Sequence, residues 1–146
     1  MIDHKFELGT PQRVINVSLR EIGDRIAAFY TYVSPLFGTS YIDAPFCDIK
    51  CDRPTFTLYV LDFASTINGW TIVGIETPRD TDKLTATPGP ENLSIQVFNP
   101  HKNDDGVENF AIVYKNQNYQ HGKLVPIDPQ EGNIPPIFPT NRNSMK

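Results

Sequence analysis

Apolar and polar residues alternate along this chain in short runs, and turn-forming residues cut one run from the next. Over Arg13–Leu19, Ile15, Val17 and Leu19 alternate with Asn16 and Ser18, the period-two pattern of a strand with one buried face. Over Thr55–Leu61, Phe56, Leu58 and Val60 alternate with Thr57, Tyr59 and Leu61, so both faces carry apolar or aromatic side chains and a central strand is predicted. Trp70–Ile75, Leu93–Phe98 and Phe110–Tyr114 repeat the same short pattern. Ser40–Phe46 and the proline-interrupted Lys123–Asp128 are weaker candidates. Ile67-Asn68-Gly69 predicts a turn into the Trp70 strand, because Asn and Gly both tolerate positive φ.

Leu19–Val33 supports two readings. Leu19, Ile22, Ile26, Phe29 and Val33 recur at helical spacing, and Ser18 with Glu21 has the form of a capping box. Gly23-Asp24 interrupts that pattern, and Phe29-Tyr30-Thr31-Tyr32-Val33 is aromatic and β-branched. The reading adopted is strand, turn, strand, with a helical turn near Leu19–Ile22 as the alternative. Thr77–Asn92 is polar and contains Pro78, Pro88 and Pro90, as a crossover or a loop with a short edge strand near Leu84 would. Asn99–Asn109 reads as a hydrophilic loop. The fold expected is all-β, an immunoglobulin-like antiparallel β-sandwich of seven to eight strands. Residues 1–12 form a lead-in, 13–136 one domain and 137–146 a flexible tail.

Composition agrees with that picture and narrows the function. The chain has 146 residues, enough to bury a core without disulfides or metal. Its thirteen prolines concentrate in connections and tail, which suits fixed turns between strands. The formal net charge is −4, without a basic run, so nucleic acid is not an expected partner. No apolar stretch is long enough to cross a bilayer as a helix, and the charged N-terminus lacks the apolar segment of a leader. A cytoplasmic protein is expected. Cys47 and Cys51 would lie about 13 Å apart on an extended strand, too far for a disulfide. A bridge would demand a turn at Asp48-Ile49-Lys50, and for a cytoplasmic chain reduced thiols are the expectation.

Candidate chemistry is sparse. Cys47 and Cys51 with His4, His101 or His121 lack the paired spacing of a zinc site. An EF-hand template that places its glycine on Gly106 puts His101 at the first ligand position and Ile112 at the last, so it fails at both ends. A looser calcium loop would use Asp104, Asp105 and Glu108; a solvated turn is the simpler account. Tyr30, Tyr32, Tyr59, Tyr114 and Tyr119 are candidates for a shallow sugar- or partner-binding face, although tyrosine also suits half-buried sheet positions. The nucleophile-elbow, zinc-protease and phosphate-loop motifs are absent from the sequence. The sequons at Asn16 and Asn92 fall on or beside predicted strands and are read as coincidental.

One resemblance adds to this. Gly69–Ile75, Leu93–Phe98 ending at Asn99, Phe110–Tyr114, and a closing Ile127-Asp128-Pro129-Gln130 followed by Asn133 and Pro135 resemble the bacterial DP-EP family. They are also distantly similar to the AidA/PixA-like inclusion-body proteins. The likeness covers roughly residues 50–136 and departs at Glu131–Pro135, where the second acid–proline element is not clearly copied. It implies an immunoglobulin-like sandwich of uncharacterised role, with no catalytic residues to carry over. The function expected is non-enzymatic and cofactor-free: self-association or protein-partner binding, through strand edges and the proline-rich tail. The alternative is a small-ligand or carbohydrate-binding module, assisted by calcium.

Overall fold

The structure is a computed structural model that describes residues 12–34, 38–47, 49–77, 84–101, 106–108, 110–129 and 131–133. The lead-in before Gln12 and the tail 137–146 lie outside the described residues. In chain order the strands are β1 (Gln12–Ile22), β2 (Arg25–Val33), β3 (Ser40–Ala44), β4 (Ile49–Cys51) and β5 (Thr55–Leu61). A short helix α1 (Phe63–Ile67) follows. Then come β6 (Thr71–Glu76), β7 (Thr85–Pro88), β8 (Ser94–Asn99), β9 (Gly106–Glu108), β10 (Ala111–Lys115), β11 (Val125–Ile127) and β12 (Glu131–Asn133).

The main layer is a six-stranded sheet in the order β3-β2-β1-β5-β8-β7. Its inner face is a continuous apolar row fixed by register. Val17 lies opposite Tyr30 and Leu19 opposite Ala28 across β1–β2, Ile15 opposite Tyr59 across β1–β5, and Tyr59 opposite Ile95 across β5–β8. All of these are buried. The second layer is the three-stranded sheet β11-β10-β6, which contributes Ile72, Ile112 and Tyr114 to the same core. Tyr59 and Phe110 meet edge to face with ring centroids 6.3 Å apart. A small third ladder, β4-β12-β9, brings Ile49 and Cys51 to the cluster.

The all-β expectation holds, and Leu19–Val33 is two strands joined at Gly23-Asp24, with Gly23 at φ +65°. The helical alternative loses because both strands place Leu19, Ala28, Tyr30 and Tyr32 on one buried face at period two. An edge strand, β7, lies beside the predicted Leu84 position. Other expectations are corrected. The described residues contain twelve strands, because the edge strand β7 forms and three three-residue strands (β4, β9 and β12) are too short to leave a sequence period; β11 lies within the predicted Lys123–Asp128 strand. One of them, β9, lies within the predicted hydrophilic loop. The sheet is mixed: β1 and β5 pair in parallel, as β4 and β12 do. The long excursion through β2–β4 supplies the crossover that a parallel pair requires.

The turn predicted at Ile67-Asn68-Gly69 is the end of a helix. Asp62 caps α1 at its N-terminus, accepting from the Ser65 amide. At the other end, the Gly69 amide donates to Thr66 O and the Trp70 amide to Ser65 O, the paired bonds of a Schellman ending with glycine at positive φ. No helix among the described residues is long and apolar enough to cross a membrane.

Candidate functional site

Two surface features carry chemistry, and both are built by β1. The first is the outer face of the six-stranded sheet. Because side chains alternate, the strand that buries Ile15 and Val17 turns Val14 and Asn16 outward, beside Thr31 of β2. In the same register Leu58 lies next to Val14, and Phe56 stacks on Phe98 with centroids 4.7 Å apart. Val14, Val33 and Ile42 are 55%, 56% and 77% exposed and line a shallow depression of about 540 Å³. Its remaining walls include Gln12, Asn16, Thr31 and Ser40, all uncharged. The charged residue among them, Arg13, donates its guanidinium to Lys50 O at 3.3 Å. At one end of the face Arg20 and Asp43 pair with each other at 2.8 Å.

Three of the sheet edges, β3, β7 and β11, are shielded by contrast. On β3 a register shift sits opposite Tyr30–Tyr32, and Asp43 adopts φ +51° while its amide donates to Thr31 Oγ1. Such a bulge turns an edge away from pairing. Pro88 ends β7, and Pro126 occupies β11, each removing a backbone donor from an edge.

The second feature is a polar groove of about 650 Å³ between the end of β1, α1 and the Asn116–Tyr119 turn. Trp70 and Tyr119 line it with ring centroids 5.7 Å apart. Buried Asn116 ties its wall together, donating Nδ2–H to Asn68 O at 2.8 Å and accepting from the Asn118 amide at 2.9 Å. Arg20 is held by three partners: Nε donates to Ser18 Oγ, Nη2 to Asp43 Oδ1, and the guanidinium lies 4.4 Å over the Phe29 ring. Burial alone would raise the Asp62 pKa. Bonds from the Ser65 hydroxyl and amide, with the Ser18 hydroxyl and Arg20, outweigh it and hold the carboxyl below its ordinary value.

Of the residues that build these features, sequence reasoning singled out one, Tyr119, which lines the groove. Tyr30, Tyr32, Tyr59 and Tyr114 do not form a binding face; all four are buried in the core, at most 5% exposed. They occupy inward register positions on β2, β5 and β10. The Tyr30 and Tyr114 hydroxyls have no hydrogen-bond partner among the described residues. Burial pushes both phenols well above their usual pKa. Cys47 and Asp128 add to the shift at Tyr30, and Tyr30 and Cys47 to that at Tyr114. Asp104 and Asp105 of the calcium reading lie outside the described residues, and the described part of Glu108 is its backbone, paired with Glu131. Cys47 and Cys51 are buried thiols. No group of three or more metal-binding side chains occurs among the described residues. No protein-family model matches the chain, and no characterised protein matches its sequence.

The residues that do shape the surface left faint traces. Val14 and Val33 are apolar positions on the polar phase of their strands. Asn116 and Asn118 fall in a stretch that reads as an ordinary turn.

Proposed function

We propose that this chain is a non-enzymatic β-sandwich, immunoglobulin-like in kind, that acts by self-association through the outer face of its six-stranded sheet. The observation that carries this reading is the uncharged apolar patch at Val14, Val33 and Ile42, continued by Leu58 and the Phe56–Phe98 pair. A second copy is the occupant that fits. A two-fold interface must match itself, and an uncharged face does so where a charged one repels. The chain carries a net charge of −4, so two copies repel each other overall, and a neutral patch adds no local repulsion to that. Arg20 and Asp43, at one end, already neutralise each other.

Size supports a reversible contact. Strands about 4.8 Å apart and about 3.3 Å per residue give a six-strand face of roughly 550 Å² per copy, at the low end for specific interfaces. Stacked sheets bury side chains as the sandwich core does. Both edges of the six-stranded sheet, β3 and β7, are shielded, which favours its face over its strand edges as the contact. The DP-EP likeness belongs to the same proposal, as a family of sandwiches with no known chemistry.

Hydrogen–deuterium exchange at low and high protein concentration tests it. Added protection at high concentration, confined to β1, β2 and β3 around Val14, Val33 and Ile42, is the expected result. Protection that is independent of concentration there, or that grows elsewhere, removes the reading.

A further inference from the structure

The groove at the end of β1 carries a second inference, independent of self-association. We propose that it binds a neutral polyhydroxylated ligand of monosaccharide size. Its volume of about 650 Å³ lies within the range of small-molecule sites. Each hydroxyl of a sugar both donates and accepts, so a sugar site needs donors and acceptors interleaved along one wall. Here Arg20 and the amides of Asn68 and Asn118 supply donors, while Glu21, Asp62 and the same amides supply acceptors.

The other requirement is an aromatic surface for the apolar C–H face of the ring. Tyr119, half-buried and packed on Trp70, supplies it. Its hydroxyl donates to Asp24 O at 3.3 Å and accepts from Gln120 Nε2 at 3.3 Å, so the ring is held in place before a ligand arrives. Arg20 is similarly fixed by Ser18, Asp43 and Phe29. A wall ordered in advance loses less conformational entropy on binding. Charge selects the class: one cation, Arg20, faces two carboxylates, Glu21 and Asp62, so the groove is net negative and disfavours phosphorylated or acidic sugars.

The chain has a single tryptophan, Trp70, and it lies in this groove, so its fluorescence reports on the site alone. Titration with glucose, galactose, mannose and fucose is expected to give a saturable change in Trp70 emission with at least one of them. The Asn118→Ala and Tyr119→Ala variants should weaken that binding about tenfold or more, and Tyr119→Phe, which keeps the ring but loses the bonds that hold it, should weaken it less than Tyr119→Ala. Equal melting temperatures for Asn118→Ala and wild type keep folding out of the comparison. Glucose 6-phosphate should bind more weakly than glucose. No saturable change with any neutral sugar overturns the proposal. A change that survives Asn118→Ala and Tyr119→Ala, or tighter binding of the phosphate, does so too.

Discussion

The backbone amide of Leu19 donates to the hydroxyl of Ser65 across 2.8 Å, with both residues buried. The parallel ladder between β1 and β5 ends at Val17 and Leu61, and the Asp62 amide extends it by one bond to Val17 O. Beyond that point α1 turns away, and the serine side chain takes over the role of a strand. One hydroxyl thus satisfies a buried amide of a core strand and seats the helix that forms a wall of the polar groove.

Removing that hydroxyl leaves a buried donor unpaired. Ser65→Ala is expected to destabilise the fold by about 1–3 kcal/mol. Urea denaturation should show a lower midpoint with an unchanged slope, since the exposed area is the same. A midpoint equal to wild type would mean that the Leu19 amide finds another partner.

Asp62 holds the other end of the helix. Asp62→Ala is expected to cost about 1 kcal/mol through loss of the cap. The carboxyl has a folded pKa below its unfolded one, so its stabilisation is present above the unfolded pKa, near the ordinary carboxylate value. It is lost as pH falls through the folded pKa. The stability gap between wild type and Asp62→Ala should therefore narrow with acidification, as read by urea midpoints at stepped pH.

Tyr30 and Tyr114 have the opposite dependence. Both phenols are held above their ordinary pKa in the folded chain, so the unfolded state loses protons first as pH rises. Stability should be level below about pH 10 and fall above it. Tyrosinate absorbance from these two residues should appear together with loss of the far-ultraviolet signal. Because each hydroxyl is buried without a partner among the described residues, Tyr30→Phe and Tyr114→Phe are expected to leave the melting temperature equal or higher. A large loss of stability would show that these hydroxyls are bonded in solution.

Gly69 stands at φ +99°, and a Cβ there would meet Asn116 Oδ1 at 3.0 Å. Gly69→Ala is expected to destabilise by about 1 kcal/mol or more through backbone strain. It also pushes Asn116 from the place where it joins Asn68 to Asn118, so the Trp70 emission maximum should shift as well.

Legibility followed periodicity. Alternation at Ile15, Val17 and Leu19 or at Ile95 and Val97 announced strands because the buried face is continuous over several pairs. Three-residue strands such as Ile49–Cys51 leave no such trace, and the five-residue α1 is too short for a 3.6-residue period. Asn68-Gly69 reads only as a turn because the dipeptide suits both a hairpin and a helix end; the helix before it decides which. Tyrosine was ambiguous for a similar reason, since an amphipathic ring serves a surface or a core, and register placed four of them inside. The groove was illegible because β1, α1 and the Asn116–Tyr119 turn meet only once the chain is folded.

Sedimentation velocity across a concentration series tests the central claim most directly. Wild type is expected to move from monomer toward dimer in reversible exchange as concentration rises, while Ile42→Glu and Val14→Lys, at exposed positions that burden no core contact, stay monomeric with unchanged melting temperatures. A wild-type chain that sediments as a monomer throughout, or a dimer that both substitutions leave intact, would contradict it.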